Sequence, residues 1–143
     1  MTAPVLTVRN CRWIAVPGSA DARGSVNFLE SGKGLDFEPR RLFWIHHVAP
    51  GQWRGRHGHR KTELVLVAMH GGCRIHLDDG TVQQSVTLDD PTRALHVGTW
   101  VWHELTDFAA GTVIAVLASS PYEEAEYLRD YETFKREVGA HTR

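Results

Sequence analysis

Four residues in two separated stretches have side chains suited to proton transfer or metal binding. His57 and His59 are two residues apart, Glu63 follows four residues later, and His103 comes much further along the chain. Residues two apart on a β-strand point to the same face, so the first two imidazoles would lie side by side. If that face lines the interior of a barrel, the rings converge in a protected cavity. Imidazole is a near-neutral acid or base and a common metal ligand, so the spacing indicates either chemistry.

The composition is that of an ordinary globular protein and excludes several functional classes. The 143 residues fit a single domain, 1–143, whose ends, 1–10 and 139–143, we expect to be frayed. The formal net charge of −1 argues against binding of nucleic acid through a basic face. No apolar run approaches the roughly 18 residues that a membrane span needs, and the N-terminus does not resemble a signal peptide. Two cysteines without a CxxC motif make a reducing cytoplasm the expected location.

Short apolar runs separated by turn signals are the elements that must position these side chains. The runs are rich in β-branched and aromatic residues and recur about every 8–12 residues, a spacing typical of an all-β sandwich or barrel. The runs at 73–78 and 82–88 predict a hairpin in which Asp79 and Gly80 form a two-residue turn. The other candidate strands are 12–16, 25–30, 41–48, 63–69, 94–97, 100–105 and 112–119.

The last thirty residues change character and predict one C-terminal helix over about 121–137. Ser120 would be the N-cap, Pro121 would occupy the first helical position, and Glu123 would complete the capping box. Aromatic and apolar residues then recur at helical spacing, which indicates one face packed against the sheet. That face consists of Tyr127, Tyr131, Phe134 and Val138.

Two resemblances to known families follow from these motifs. The pattern G-x5-H-x-H-x3-E from Gly51 to Glu63, with a further histidine some forty residues on, resembles the two motifs of the cupin superfamily. A closer resemblance covers nearly the whole chain: the sequence is similar to the nucleotide-sugar 3,4-ketoisomerases, small cupins that act on dTDP-4-keto-6-deoxyglucose. The element R-G-x-H-x-H from Arg54 and the tail Y-x4-Y-[IL]-R-D-Y from Tyr122 carry it most specifically. Other matching blocks begin at Asp21, Phe37, Leu77, Leu88, Val101 and Leu117.

This second resemblance implies an all-β, cupin-type jelly roll with one C-terminal α-helix, a homodimer, and no external cofactor. The implied partner is a dTDP-linked keto-deoxysugar, isomerised during deoxyaminosugar biosynthesis. A base removes the C3 proton beside the C4 ketone, and reprotonation of the enediol(ate) at C4 leaves the ketone at C3. His57 would be the C3 base, and His59 would carry the proton at C4 or O4. The residues expected to bind substrate are Arg23, Arg54, His103, Phe43 and Trp102.

Departures from the family pattern leave two other functions open. Glu63 stands where the family usually has Gln, and Phe43 stands where it usually has Tyr. The first departure completes a metal-cupin ligand set. One alternative is therefore a metal-dependent enzyme that binds Fe, Mn, Ni or Zn and acts on another small molecule. That set is His57, His59, Glu63 and His103. The other alternative is a cupin that binds a nucleotide sugar without turning it over. Within the family, Arg23 together with His103 favours the galacto-configured product.

Overall fold

The structure is a computed structural model that describes residues 3–142. Over this range the chain forms fourteen β-strands, one short 3₁₀ turn and one α-helix. The first seven strands are β1 (Cys11–Ala15), β2 (Gly18–Asp21), β3 (Gly24–Asn27), β4 (Glu30–Ser31), β5 (Gly34–Leu35), β6 (Arg41–His46) and β7 (Arg54–His59). The rest are β8 (Leu64–His70), β9 (Cys73–Asp78), β10 (Gln83–Leu88), β11 (Arg93–Val97), β12 (Trp102–Thr106), β13 (Val113–Ala118), β14 (Tyr127–Leu128) and α1 (Tyr131–His141).

Two five-stranded antiparallel sheets enclose the main hydrophobic core. The first sheet has the order β1-β11-β8-β13-β6, and the second has the order β10-β9-β12-β7-β14. Alternate residues of both sheets, such as Leu66 of β8 and Ile75 of β9, point inward and are almost completely buried. This arrangement confirms the predicted jelly-roll β-sandwich with a C-terminal helix.

The outer face of the first sheet carries a second apolar cluster. Val65 and Val67, which alternate with inward-facing leucines on β8, are buried there against Leu35. Strands β2 and β3 form an antiparallel hairpin outside the two main sheets, and every residue of these two strands is exposed. Apolar burial on both faces identifies β8 as a central strand of the fold.

The predicted helix over 121–137 is wrong at its start. A 3₁₀ turn at Glu124–Glu126 and the strand β14 precede α1, which begins at Tyr131. Leu128 of β14 pairs with Gly58 of β7, so long-range backbone pairing overrides the local helical periodicity. Asp130 is the actual N-cap and accepts a hydrogen bond from the Thr133 amide. The predicted apolar face is present in its C-terminal part, where Phe134 and Val138 are buried.

Two smaller expectations also differ from the structure. The β9–β10 hairpin forms as predicted, but its loop spans residues 79–82 because Gln83 pairs with Asp78. The chain ends are more ordered than expected: Val8 belongs to the core, and α1 continues to His141. Residues 1, 2 and 143 lie outside the described range. Over 3–142, no helix is long and apolar enough to cross a membrane.

Candidate active site

Three histidines converge inside the sandwich. β7 and β12 are antiparallel neighbours, and their register sets His57 directly opposite His103. The ring centroids of these two residues are 4.6 Å apart, and that of His59 lies 5.0 Å from His57. One ring nitrogen from each residue lies within 4.8 Å of the others. His59 and His103 are buried, and His57 is partly buried. The predicted convergence of these imidazoles is therefore present.

A β-bulge at the start of β7 sets this alignment. Gly55 pairs with Glu104 and His57 pairs with His103, so Arg56 is an extra residue on β7. Gly55 has a φ of 86°, and a Cβ there would lie 2.9 Å from the carbonyl oxygen of His103. Glycine is therefore required at position 55, because a side chain would meet both backbone strain and a steric clash.

Burial keeps two of the imidazoles neutral near pH 7. The pKa of His57 is lowered to about 4, chiefly by loss of solvent and also by the neighbouring His59 and Arg129. Burial also lowers the pKa of His103 well below its usual value. A neutral imidazole can accept a proton, so both side chains are available as bases or hydrogen-bond acceptors.

The third imidazole has a carboxylate partner. Nδ1 of His59 lies 2.5 Å from Oε2 of Glu126, and both side chains are almost completely buried. The other carboxylate oxygen accepts a hydrogen bond from the Thr62 amide at 2.9 Å. Burial lowers the pKa of His59, whereas the hydrogen bond and the charge of Glu126 raise it. His59 is therefore better able than its neighbours to hold a proton.

Arginine and tyrosine side chains form the wall beside the histidines. The ring of Tyr127 lies 4.4 Å from that of His59 and 5.0 Å from that of His57. Its hydroxyl accepts a hydrogen bond from Nη1 of Arg41, and the Arg129 guanidinium lies over its ring at 4.4 Å. Arg129 is also paired with the Glu124 carboxylate, so the wall combines a phenol with one ion-paired guanidinium and with Arg41, whose charge suits an anionic ligand.

One predicted substrate-binding residue lies near this wall, and another lies at the other end of β7. Phe43 is two residues from Arg41 on β6, on the same face, and packs against the core. The Arg41 guanidinium lies 5.4 Å from the centre of its ring. Arg54 begins β7 opposite Leu105 and lines an open cleft. Phe43 thus supplies an apolar surface, and Arg54 lies at the outer end of the strand that carries the histidines.

Two other predicted residues lie away from the histidines. Trp102 points to the opposite side of β12 from His103, where its ring packs against Phe134 of α1. Arg23 pairs with Asp21 on the exposed hairpin, and its side chain is 91% exposed. Neither residue lines the pocket within one chain, contrary to expectation.

Glu63 does not complete a metal-ligand set. It lies 2.9 Å from Nε2 of His96, at the mouth of a separate surface cleft. The next residue, Leu64, faces the core, so Glu63 shares the outward face of β8 with Val65. The predicted four-residue ligand set is therefore wrong in its carboxylate, although the three imidazoles by themselves could hold a divalent metal.

Four residues of this site were not among the predicted site residues, and Tyr127 was expected only in the apolar face of the helix. Arg41 lies in the family block that begins at Phe37, and the other three lie in the block that begins at Tyr122. The predicted helix over 121–137 was the reason for missing the last three, because a helix there would not pair with β7 beside the histidines. The four residues are Arg41, Glu126, Tyr127 and Arg129.

Comparisons with known proteins identify the family of the chain. The family model described as "FdtA: WxcM-like, C-terminal" matches residues 9–139. The TDP-4-oxo-6-deoxy-α-D-glucose-3,4-oxoisomerase of Aneurinibacillus thermoaerophilus is 43% identical over 118 residues, which are 82% of this chain and 85% of that protein. A 3,4-ketoisomerase from Helicobacter canadensis superposes with a TM-score of 0.87 at 38% identity, covering 91% of this chain and 98% of that one.

A third comparison includes a bound sugar nucleotide. A mutant of the 3,4-ketoisomerase QdtA from Thermoanaerobacterium thermosaccharolyticum, in complex with TDP-4-keto-6-deoxyglucose, superposes with a TM-score of 0.90 at 30% identity. The match covers 94% of this chain and 97% of that one. The family model and the 43% identical relative both span most of the chain. The chain belongs to the FdtA-like family of TDP-sugar 3,4-ketoisomerases.

Proposed function

We propose that this protein is an isomerase that converts dTDP-4-keto-6-deoxyglucose into its 3-keto isomer through an enediol(ate), as a step of deoxyaminosugar biosynthesis. The observation that carries the proposal is the cluster of His57, His59 and His103 beside a wall with two guanidiniums. Proton transfer between adjacent sugar carbons needs groups that exchange protons near neutrality and a setting that tolerates negative charge on oxygen. The relatives named above carry the same activity in their names.

The proposed proton route divides the work between two imidazoles. His57, whose pKa is held near 4 by burial, is neutral at pH 7 and removes the C3 proton. His59, which faces the same pocket, carries the proton exchanged at O4 or C4. His103 lines the pocket and accepts hydrogen bonds from sugar hydroxyls. Since the rings of His57 and His59 are 5.0 Å apart, adjacent carbons of one sugar ring can be reached by both.

The positive wall would stabilise the enediolate or hold the diphosphate. Nη1 of Arg41 donates to the Tyr127 hydroxyl, and its Nε is buried without a partner. Such a donor favours an anionic oxygen close by, because an unsatisfied buried N–H is costly. Arg54, which lines a cleft at the outer end of β7, would contact the nucleotide part of the substrate. The occurrence of both Arg23 and His103 in the sequence favours a galacto-configured product, as the family resemblance implies.

The proposed reaction needs no metal. The three imidazoles could bind a divalent ion, which would polarise the sugar ketone. Against that use, Glu63 bonds to His96, and Arg41, which has no carboxylate partner among residues 3–142, acts on His59 as a positive charge. Arg129 adds less, because its guanidinium is paired with Glu124. A nearby unpaired cation disfavours a metal ion but favours an anionic intermediate. Activity that survives exhaustive chelation, together with less than 0.1 equivalent of metal by elemental analysis, would support this part of the proposal (roughly the level of an adventitious ion).

The proposed assembly is a homodimer. The outer face of the first sheet exposes three large apolar side chains, Leu42, Trp44 and Met69, each more than half exposed. The fully exposed β2–β3 hairpin adds Val26 beside this face. A contiguous apolar surface of this kind is typical of an interface between protein chains. Light scattering of the purified protein at several concentrations tests the assembly.

The deciding experiment is an NMR time course in D₂O with dTDP-4-keto-6-deoxyglucose and chelator-treated protein. The proposal predicts a 3-keto sugar with deuterium at C4, and the configuration at C4 identifies the product. Activity that returns only when a metal is added would favour the metal-dependent alternative. Binding of the nucleotide sugar without deuterium uptake would favour the non-catalytic alternative.

A further inference from the structure

The His59–Glu126 contact distinguishes one of the three imidazoles from the other two. Nδ1 of His57 and Nδ1 of His103 are buried without a hydrogen-bond partner. Nδ1 of His59, in contrast, lies 2.5 Å from a carboxylate that is 6% exposed. That carboxylate comes from the 3₁₀ turn before β14, and β14 is itself paired with β7 at His59. The backbone pairing therefore holds Glu126 and His59 together.

Every contact of the Glu126 carboxylate is with a donor. Oε1 accepts from the Thr62 amide at 2.9 Å and from the Lys61 amide at 3.4 Å, which ties it to the turn after β7. Oε2 contacts only the imidazole of His59. An ionised carboxylate has no proton to donate, so the proton of this last hydrogen bond must reside on Nδ1 of His59. Nε2 then carries a lone pair that is free to act in the pocket.

We propose that Glu126 is a positioning residue: it fixes His59 as the Nδ1–H tautomer and offsets the charge of the imidazolium that forms when Nε2 takes a proton from the sugar. Its role in turnover rests on the proposed isomerase function, whereas the tautomer does not. Carboxylates that orient a histidine commonly act in this way. The contact also explains why a buried acidic residue stands at position 126, where no arginine or lysine pairs with it among the described residues.

The proton balance of the isomerisation gives His59 a defined task. Two protons leave the sugar, one from C3 and one from the C3 hydroxyl, and two arrive, one at C4 and one at O4. His57 takes the C3 proton, which exchanges with solvent before a solvent-derived proton is delivered to C4. Nε2 of His59 accepts the proton of the C3 hydroxyl as the C3 ketone forms and returns a proton to O4. No oxidant or reductant is consumed, since the ketone and the alcohol exchange places.

The variant Glu126→Gln tests the tautomer sharply. A glutamine offers one accepting oxygen and one donating NH₂ group, but the site needs acceptors toward both Thr62 and His59. If the amide oxygen faces the Thr62 N–H, the NH₂ group faces Nδ1 of His59. That arrangement forces the proton of the imidazole onto Nε2, where it removes the lone pair from the pocket. The substitution thus inverts the tautomer with almost no change in shape.

The experiment combines ¹⁵N NMR of histidine-labelled protein with turnover in D₂O. We expect the wild type to show His59 protonated at Nδ1, and Glu126→Gln to show it protonated at Nε2. We expect kcat to fall by about 100-fold or more, with KM changed less than about threefold. Glu123→Gln is the matched control, because it removes one carboxylate from the same segment, where Glu123 pairs with exposed Lys61. This control should keep both the wild-type tautomer and the wild-type kcat.

Each outcome bears on a separate statement. A wild-type His59 protonated at Nε2 overturns the positioning role without any variant, even if Glu126→Gln fails to fold. An active wild type with an equally active Glu126→Gln protein overturns the role in turnover. A wild type that is inactive but has the Nδ1–H tautomer refutes the proposed function and leaves the tautomer assignment supported. Recovery of kcat in Glu126→Asp, which restores a carboxylate, supports charge rather than shape as the cause.

Discussion

The pH dependence of the proposed isomerisation follows from the burial of His57. The pKa of this side chain is lowered from 6.5 to about 4, chiefly because the folded protein removes it from water. A base works only when unprotonated, so lowering its pKa extends activity toward acid pH. At pH 5.5 a base with a pKa of 4 is about 97% unprotonated, whereas one with a pKa of 6.5 is about 9% unprotonated. The two cases thus differ about tenfold in rate.

The assay is the initial rate of deuterium uptake from D₂O at substrate concentrations well below KM, measured from pH 8 to pH 5. These conditions report kcat/KM, and hence the ionisation of the free enzyme. Circular dichroism at each pH confirms that the protein remains folded, and His57→Asn supplies the background rate. We expect kcat/KM to change less than about twofold between pH 7.5 and pH 5.5. A half-maximal rate near pH 6.5 in a folded protein would refute either the burial of the base or its assignment to His57.

Three other predictions concern stability and the role of single side chains. Because the folded pKa of His57 lies below its unfolded value, its contribution to the free energy of unfolding falls from about pH 7 and costs about 2 kcal/mol by pH 5, and the lowered pKa values of His59 and His103 act in the same direction; urea titrations that show no loss over this range contradict it. Glu63→Gln keeps the partner His96 but removes a charge, so activity and metal content should be unchanged and stability altered by less than about 1 kcal/mol; loss of activity would reopen the metal alternative. Phe134→Ala opens a cavity under α1 and should cost about 3–5 kcal/mol in urea titrations; a cost below 1 kcal/mol would mean that α1 contributes little.

Local patterns predicted the strands and the histidine pair because these depend on alternation along one segment. The spacing of His57 and His59 required only that β7 be extended, and it is. The direction of the Glu63 side chain depends on the turn between β7 and β8. After that turn Leu64 faces the core, so the preceding residue, Glu63, points outward to His96. The spacing from His59 to Glu63 does not reveal this direction, so the carboxylate was assigned to the wrong site.

The segment from 121 to 130 shows the opposite failure. Its capping signals, together with Tyr127 at helical spacing from Tyr131, predicted a helix, but the backbone of Leu128 completes the edge of the second sheet by pairing with β7. That pairing is a contact between residues about 70 positions apart, and no local signal in the segment reports it. This error affected the predicted site, because the 3₁₀ turn and β14 place Glu126 and Tyr127 beside the histidines. Asp130 followed by Thr133 was the local sign of the true helix start.

The surroundings of the three imidazoles decide between proton transfer and metal binding more than the imidazoles do. Their nitrogens lie within 4.8 Å of one another, a spacing from which side chains could close around an ion. However, the one carboxylate in contact with them, Glu126, bonds to the outer nitrogen of His59 and to the backbone rather than facing the pocket. Of the two guanidiniums beside the imidazoles, Arg129 is paired with Glu124, whereas Arg41 has no carboxylate partner among residues 3–142. A pocket with neutral bases and an unpaired guanidinium stabilises an enediolate better than a divalent ion, so we expect isomerisation from this arrangement.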